Sequence, residues 1–372
     1  MDLRELLRPP PLDLRLERRG RWVRFTSAID QESERFEEEL QQVAGELPLP
    51  QRHAWLRWCQ REYRLLQVRD PGGRAAYQAV VYIARPRLLP LVGGEGTARK
   101  LGTAASAEEE RQGLRLLREL CQEASDLLTL RLQPRRLDPQ ALQAFVERAA
   151  EAGFAPCEPE GITRTLLLDL RSHREELLAA LPKKTRYLLR SRERFTGEIR
   201  VLDDPAVAPA CQAAAAAALA RTGVRASPWE WHTLFSVARE RPDLLRMVGL
   251  YLPGRADGPV AFASAVRHGE TAEYASAGSL DDPELRKLPF NYWLLDCLFD
   301  WARGHGARFM DLGGVTAGGP DDPLAGISAF KRRLCNVEVE VGREMLAVLR
   351  PVRRKAVAAM RAVVHRVRAV HG

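Results

Sequence analysis

Apolar residues recur at three- and four-residue spacing before Trp301, which predicts a helix with one apolar face. The apolar positions are Phe290, Trp293, Leu294, Cys297, Leu298 and Trp301. The glycines of GHGA end this helix, and FMDLGG predicts a short buried strand that ends in Asp311. A loop rich in Gly, Pro and Asp follows, and a second helix is expected to start with Phe330 and Lys331. Such a loop cannot pack by itself, so this segment is typical of a lid or substrate channel.

Strand and helix patterns alternate along the rest of both halves. In the first half the predicted strands are Trp22–Ser27, Tyr63–Arg69, Ala75–Pro86 and Asp126–Pro134, and the predicted helices are Glu32–Ala44, His53–Arg61, Glu108–Ala124 and Asp138–Ala152. In the second half the strands are Ile162–Leu170, Glu198–Leu202, Leu244–Leu252, Pro259–His268, Thr271–Ala277 and Val337–Gly342, and the helices are Arg174–Leu181, Lys183–Phe195, Pro205–Arg221 and Pro228–Glu240. Hairpins among alternating strands and helices indicate mixed α/β layers.

The composition narrows the classes of protein. A chain of 372 residues can form two domains with full cores. The formal net charge of +8 favours polyanionic partners such as RNA, although an arginine-rich surface without such a partner is the alternative. The first residues lack the apolar segment of a signal peptide, and no apolar stretch is long enough to span a bilayer, so a cytoplasmic protein is expected. The six cysteines and seven histidines show no metal-ligand spacing, so a metal site is not expected.

The late motifs resemble the Fem family of aminoacyl-tRNA-dependent peptidyltransferases, which build the cross-bridge peptides of bacterial cell walls. The family's order is an aromatic helix, a Gly turn, a strand ending in Asp-x-Gly-Gly, a variable loop and Gly-x-x-x-Phe-Lys. In this chain Asp-x-Gly-Gly is Asp311–Gly314, and Gly-x-x-x-Phe-Lys is Gly326–Lys331. Two positions depart from the family: Ser328-Ala329 replaces a frequent aromatic, and Cys335-Asn336 replaces a frequent Gly-Gly.

The resemblance implies an α/β (α+β) fold with two tandem acetyltransferase-like (GNAT) domains, whose mixed, largely antiparallel sheets are flanked by helices. On this chain, residues 1–46 would be an N-terminal extension packing on the first domain, which spans 47–160. Residues 161–342 would be the second domain with the active site, and 343–372 a basic C-terminal helix. Many family members insert a long coiled-coil arm. No heptad stretch of that length occurs here, so the arm is expected to be absent.

Lys331 is the first candidate for chemistry. A cation at the start of a short helix beside a mobile loop can stabilise an oxyanion or a phosphate. The resemblance places this lysine near the tRNA end and the developing charge, and Phe330 near the same end or shaping the pocket. The alternative is a solvated helix face with Phe330 in the core.

Basic residues crowd the predicted helix Lys183–Phe195. They are Lys183, Lys184, Arg186, Arg190, Arg192 and Arg194. Like charges at this density are costly without a bound anion. The resemblance implies a groove here for the acceptor's pyrophosphate and nearby RNA, with Lys183, Lys184 and Arg186 as phosphate contacts. A basic surface helix is the alternative.

Several polar residues lie where the last strands meet the aromatic helix. Tyr274, Asn291 and Tyr292 offer hydrogen bonds to a peptide stem, although a Tyr in a strand is more often a core residue. Asp311 either orients a substrate amine or caps the loop backbone. Aminolysis of an activated ester needs positioning more than a strong base, so no general base is assigned.

Two further segments suggest anion binding. Arg99–Ala104 fits the phosphate loop of acetyltransferases in front of a predicted helix, although so short a motif also arises by chance. Arg343–His371 is basic and amphipathic, and it fits peripheral contact with an anionic membrane, contact with a tRNA body, or a helix docked by its apolar face.

Together these features predict a monomeric acyltransferase that moves an amino acid from aminoacyl-tRNA to an amine of a peptidoglycan precursor, either lipid II or UDP-MurNAc-peptide. Aminoacyl-tRNA is a co-substrate, and no cofactor is expected. One enzymatic alternative is an acyl-coenzyme A-dependent N-acetyltransferase, and another is a Fem-like tRNA-dependent ligase acting on a natural-product peptide. The non-enzymatic alternative is an RNA-binding or membrane-associated adaptor.

Overall fold

The chain divides into two compact units. The computed structural model describes residues 11–86, 93–101, 103–222, 230–255, 258–316, 322–357 and 359–360. The first unit comprises Met1–Leu56, Arg61–Gly161 and Val341–Gly372, and the second comprises Arg57–Gln60 and Ile162–Glu340. The chain therefore enters the second unit after Gly161 and returns to the first at Val341.

The first unit contains one eight-stranded mixed sheet in the order β1-β2-β3-β4-β5-β6-β15-β7. Its strands are β1 (Asp13–Arg18), β2 (Arg21–Thr26), β3 (Tyr63–Arg69), β4 (Ala75–Ala84), β5 (Glu95–Leu101), β6 (Thr129–Pro134), β7 (Ala155–Pro156) and β15 (Met345–Val348). Its helices are α1 (Gln31–Ala44), α2 (His53–Leu56), α3 (Ala107–Glu123), α4 (Pro139–Glu151) and α11 (351–357). Among the described strands of this sheet, β5 and β6 are the one pair that runs in parallel.

The apolar faces of this sheet and its helices form one core, which includes Tyr77, Leu117 and Phe145. Helix α4 begins as its sequence predicts, because the Asp138 side chain accepts a hydrogen bond from the Gln140 amide and Pro139 occupies the first position. The predicted helix from His53 is shorter than expected, since α2 ends at Leu56.

The structure differs from the predicted boundaries at both ends of the first unit. The segment predicted as an N-terminal extension, 1–46, supplies β1 and β2 of the sheet itself. The basic helix predicted over 343–372 is wrong at its start, because Met345–Val348 is a strand between β6 and β7. A helix follows only from residue 351, and residues 361–372 lie outside the described part.

The second unit contains a seven-stranded mixed sheet in the order β14-β8-β13-β12-β11-β10-β9. Its strands are β8 (Arg164–Asp169), β9 (Glu198–Val201), β10 (Leu245–Tyr251), β11 (Ala261–His268), β12 (Thr271–Ser279), β13 (Phe309–Gly314) and β14 (Glu338–Glu340). Its helices are α5 (Arg174–Ala180), α6 (Lys183–Arg190), α7 (Ala208–Thr222), α8 (Trp231–Glu240), α9 (Phe290–Gly304) and α10 (Ala325–Arg332). Of the strands that the structure describes in this sheet, β12 and β13 alone pair in parallel.

Most elements of the second unit match the sequence pattern, including three consecutive antiparallel strands β10, β11 and β12. The apolar face predicted for α9 is buried in the core of this unit, with Trp293, Leu294 and Leu298 in its interior. Among the described residues, no helix is long and apolar enough to cross a membrane. The longest helix given by these residues, α3, has 17 residues, so the described part holds no long helical arm.

Candidate active site

The two parallel strands of the second unit pair over three positions only. Thr271 to Glu273 of β12 pair with Phe309 to Asp311 of β13. Beyond this point β13 pairs irregularly with β8 on its other side. In the first unit, by contrast, the parallel pair β5 and β6 continues from Glu95 to Leu101. In the second unit the strand pairing of β12 with β13 therefore ends next to Asp311.

Lys331 reaches this region from α10. Its side chain is only 7% exposed, and its ammonium donates a hydrogen bond of 2.7 Å to the Gly314 carbonyl oxygen. The Nζ atom lies 5.9 Å from the ring centre of Tyr274 on β12. Among the described residues Lys331 makes no ion pair and no second hydrogen bond. Two of its three N–H donors are therefore available to a ligand.

Burial controls the charge of Lys331. It lowers the pKa of the ammonium to about 8, while the carboxylates of Asp311 and Glu273 act in the opposite direction. Glu273 lies opposite Asp311 in the strand register and is 3.2 Å from His268 Nε2. Burial also raises the pKa of Tyr274, which keeps that phenol neutral beside the lysine.

Lys331 lies in the last turn of α10, which corrects the prediction that it begins this helix. The helix starts at Ala325, so Phe330 and Lys331 close it. The positive end of the helix dipole is therefore not at Lys331. Any stabilisation of an anion comes from the ammonium itself.

Asp311 fixes the backbone that holds Lys331. Its carboxylate accepts hydrogen bonds from the Gly313 amide at 2.7 Å and from the Thr165 hydroxyl, and it is 3% exposed. Thr165 also donates to the Gly313 carbonyl at 2.9 Å. Gly313 has a φ of +75°, a conformation that glycine adopts without strain. Of the two roles predicted for Asp311, these contacts favour the capping role.

The two positions that depart from the family pattern have structural contacts here. Ser328 is buried, and its hydroxyl accepts a hydrogen bond from the Thr316 amide at 3.1 Å. It therefore attaches α10 to the end of β13. The Cys335 thiol donates to the Leu167 carbonyl at 3.2 Å, which holds the segment after α10 on β8. Residues 317–321 of the predicted Gly/Pro/Asp loop lie outside the described residues.

The predicted hydrogen-bonding trio separates in the structure. Tyr292 is buried and packs edge-on against Phe330, with ring centres 5.0 Å apart at 75°. Tyr274 and the half-buried Phe330 pack against the same apolar cluster. Asn291 is exposed at the start of α9. The structure thus brings Tyr274, Tyr292 and Phe330 together with Lys331 but leaves Asn291 at the surface.

The basic helix α6 is attached to the end of α10. The Thr185 hydroxyl donates to the Arg333 carbonyl at 3.1 Å, and the Trp293 ring N–H donates to the Leu188 carbonyl at 2.9 Å. Lys183 and Lys184 are exposed and Arg186 is half-buried. In the described part of the chain, no side-chain partner binds these three cations. Arg190, by contrast, pairs with Glu175 at 2.7 Å.

The first residues of the Arg99–Ala104 segment belong to a strand. Arg99 and Leu101 belong to β5 and pair with Gln133 and Pro134 of β6. Gly102 lies outside the described residues. The described residues contain no group of three or more His, Cys, Asp or Glu that could hold a metal ion.

Sequence reasoning missed several residues of this region. Thr165 is one of several polar residues in the predicted strand Ile162–Leu170, so the sequence does not single it out, and its contact with Asp311 joins positions 146 residues apart. Gly314 contributes a carbonyl, which no side-chain pattern reveals. Ser328 stands out in the sequence only as a departure from a family motif. The paired Gly313-Gly314 was the one signal that could have indicated a turned backbone here.

Comparison with known proteins agrees with this architecture. Residues 181–332 match the family model of an acetyltransferase (GNAT) domain. The crystal structure of FemX aligns over 88% of this chain and 98% of its own, with a TM-score of 0.67 at 13% identity. Residues 181–332 therefore form a GNAT domain, and the chain has the fold of FemX. The predicted fold of two tandem acetyltransferase-like domains and the acyltransferase class are thereby confirmed.

Two further solved structures share the fold. A tandem GNAT protein from the clavulanic acid biosynthesis pathway aligns over 88% of this chain and 98% of its own, with a TM-score of 0.52 at 16% identity. L-PGS from Bacillus licheniformis aligns over 85% of this chain and 91% of its own, with a TM-score of 0.51 at 13% identity. No curated protein sequence matches the chain.

Proposed function

We propose that this GNAT protein transfers an amino acid from aminoacyl-tRNA to an amine of a peptidoglycan precursor and so forms a cross-bridge peptide bond. The observation that carries the proposal is the buried Lys331 ammonium, which has one carbonyl partner and no ion pair among the described residues. A buried cation without a counter-ion is costly, and the cost is offset when a negatively charged group binds. The solved structure of FemX supports the proposal, because its likeness extends over most of both chains.

Lys331 suits the charge that develops in ester aminolysis. The acceptor amine attacks the ester carbonyl carbon, and negative charge forms on the carbonyl oxygen. The two available N–H donors of Lys331 stabilise that oxygen in a site shielded from water. The bond from the carbonyl carbon to the ribose oxygen then breaks, the amide forms, and the proton released by the amine passes to the ribose oxygen. No oxidant, metal or cofactor enters this balance.

The basic helix α6 serves the phosphates of the substrates. Lys183, Lys184 and Arg186 are without side-chain partners among the described residues, so binding an anion breaks no internal ion pair. A peptidoglycan precursor carries a pyrophosphate whether it is linked to a lipid or to a nucleotide, and the tRNA end carries further phosphates. Thr185 holds this helix against the segment after Lys331. The cytoplasm, where charged tRNA is found, is the compartment that this function requires.

The test is a transfer assay read by mass spectrometry. The purified full chain is incubated with a set of charged tRNAs and either lipid II or UDP-MurNAc-peptide. We expect the precursor mass to increase by one aminoacyl residue with at least one tRNA, and Lys331→Met to abolish the increase. No increase with any charged tRNA and either acceptor would refute the proposal.

Two alternatives have their own observations. The matching family model describes an acetyltransferase domain, which favours an acyl-coenzyme A donor. The tandem GNAT protein of the clavulanic acid pathway favours a natural-product acceptor. Calorimetric titration with acetyl-coenzyme A separates the first from aminoacyl-tRNA transfer. Saturable binding together with inactivity towards every charged tRNA would favour the acetyltransferase.

A further inference from the structure

Tyr292 contains a buried hydroxyl without a hydrogen-bond partner. The side chain lies in the first turn of α9 and is 6% exposed, and the described residues offer its hydroxyl no partner. A phenol in such a position loses its hydrogen bonds to water and gains none from the protein. Phenylalanine would fill the same space without this cost.

The same helix satisfies its other polar aromatic groups. The Trp293 ring N–H donates to the Leu188 carbonyl, and the Trp301 ring N–H donates to the Pro242 carbonyl, both at 2.9 Å. Buried Tyr and Trp groups usually find such partners. The unpaired hydroxyl of Tyr292 is therefore an exception within α9, and its location gives it a possible use.

That location is beside the reacting groups. The Tyr292 ring contacts Phe330, the residue before Lys331, at 5.0 Å between ring centres. Tyr274, whose ring faces the Lys331 ammonium, packs against the same apolar cluster. A polar substrate group that enters these apolar surroundings finds in Tyr292 a hydroxyl that can both donate and accept.

We infer that the Tyr292 hydroxyl hydrogen-bonds a polar substrate group adjoining the carbonyl that Lys331 polarises. The inference rests on the proposed function. In an aminoacyl ester, two groups of this kind adjoin the carbonyl: the α-amino group and the vicinal ribose hydroxyl. Both can form the bond. Tyr292 is then a specificity-determining residue, because a site built to hydrogen-bond a substrate group rejects analogues that lack it.

The chain supplies a matched control in Tyr77. Its hydroxyl is also buried without a partner among the described residues, and it belongs to the first unit. Its ring packs on Gly113, where an added Cβ would come within 2.3 Å. Tyr77→Phe and Tyr292→Phe therefore remove the same kind of atom. Only Tyr292 contacts a residue of the candidate active site.

Two measurements on the full chain test the inference. In thermal unfolding without substrate, both variants should melt at or above the wild-type temperature, because neither loses a hydrogen bond. If the melting temperature of Tyr292→Phe alone falls by several degrees, the hydroxyl has a hydrogen-bond partner within the protein. That result would overturn the inference, whichever reaction the protein catalyses. In the transfer assay, Tyr292→Phe should lower kcat/KM about tenfold, the effect of one lost hydrogen bond, and Tyr77→Phe should leave it within twofold.

Modified donors identify the partner. One donor has a hydrogen atom in place of the α-amino group, and the other ends in a nucleoside whose vicinal hydroxyl is removed. The tenfold difference between wild type and Tyr292→Phe should vanish for the donor that lacks the bonded group. A difference below twofold with the normal donor, or one that survives in both modified donors, would overturn the inference. A wild type inactive with every charged tRNA refutes the proposed function, and the thermal unfolding measurement then tests separately whether the Tyr292 hydroxyl has a structural partner.

Discussion

The Lys331 ammonium donates a 2.7 Å hydrogen bond to the Gly314 carbonyl oxygen, just beyond the point where the pairing of β12 with β13 ends. The carbonyl is presented there because Gly313 turns the backbone with a positive φ and Asp311 accepts its amide hydrogen. A neutral carbonyl orients the ammonium without cancelling its charge. This arrangement leaves the cation available to a developing anion, in contrast to an ion-paired lysine.

Replacing Lys331 by Met should separate catalysis from stability. The side chain has similar length and no charge, so transition-state stabilisation is lost and kcat should fall about 10²- to 10³-fold. The unfolding free energy should stay equal or rise, because a buried cation without an ion pair is replaced by an apolar group. Steady-state transfer assays and urea denaturation measure both quantities.

The control for this prediction is Lys331→Arg, which keeps the charge in a larger, planar group. It should fold less stably than Lys331→Met because the guanidinium overfills the buried position. A Lys331→Met protein that retains activity within threefold of wild type would contradict the assigned role.

The buried lysine should make stability depend on alkaline pH. Its pKa is about 8 in the folded chain and near the ordinary 10.5 when unfolded. Between these values the unfolded chain binds more protons, so the unfolding free energy rises with pH, by up to about 3 kcal/mol. This contribution to the unfolding free energy is complete above pH 10.5 and is lost as the pH falls through 8.

Urea denaturation of wild type and Lys331→Met across this window isolates the effect. Other groups titrate equally in both proteins, so the difference between the two unfolding free energies reports Lys331. We expect the unfolding free energy of wild type to increase relative to that of Lys331→Met as the pH rises from 8. A difference that stays constant would mean that the folded-state pKa is not lowered.

Local patterns predicted the strands and helices well because alternation and helical spacing are properties of neighbouring residues. The aromatic face of α9 and the hairpin of β3 and β4 are examples. The start of α10 is predicted wrongly because the turn signal before it, Asp322-Pro323, carries more weight than the Phe330-Lys331 motif. The Asp322 carboxylate accepts a hydrogen bond from the Leu324 amide at 2.8 Å. Met345–Val348 was read as helix because four apolar residues fit either element.

The site itself depended on contacts that no local pattern contains. Thr165 and Asp311 meet only because β8 and β13 are sheet neighbours, and Gly314 acts through its backbone. The sequence identified Lys331 through its resemblance to a motif. Among the described residues its ammonium bonds a carbonyl oxygen and makes no ion pair, an arrangement that the three-dimensional packing determines.

Gly313→Ala should damage both the fold and the activity. Its φ of +75° is unfavourable for alanine, and the added Cβ would lie 3.0 Å from the Tyr274 carbonyl and 3.3 Å from Lys331 Nζ. We expect the unfolding free energy to fall by more than about 1–2 kcal/mol, which is the cost of the backbone conformation alone. Activity should also fall, because Lys331 shifts. Denaturation and transfer assays provide the two measurements.

Gly20→Ala is the matched control. Gly20 has a φ of +69°, and an added Cβ would meet no atom within 4 Å. This variant should therefore show the backbone cost alone, with unchanged activity. If the two variants lose equal stability and Gly313→Ala remains active, the tight packing around Lys331 does not matter for function.

The cations of α6 should contribute to RNA binding without contributing to stability. Lys183, Lys184 and Arg186 lack side-chain partners among the described residues, so their combined replacement by Ala should change the unfolding free energy by less than about 0.5 kcal/mol. If all three contact phosphates of the single-stranded tRNA end, the slope of log Kd against log salt should fall by about 2.

Arg190→Ala, on the same helix, removes a cation already paired with Glu175 and should change the slope little. Filter binding of charged tRNA at several salt concentrations measures these slopes. Equal slopes for the triple variant and wild type would show that α6 is a solvated surface helix and that the anion-binding surface lies elsewhere.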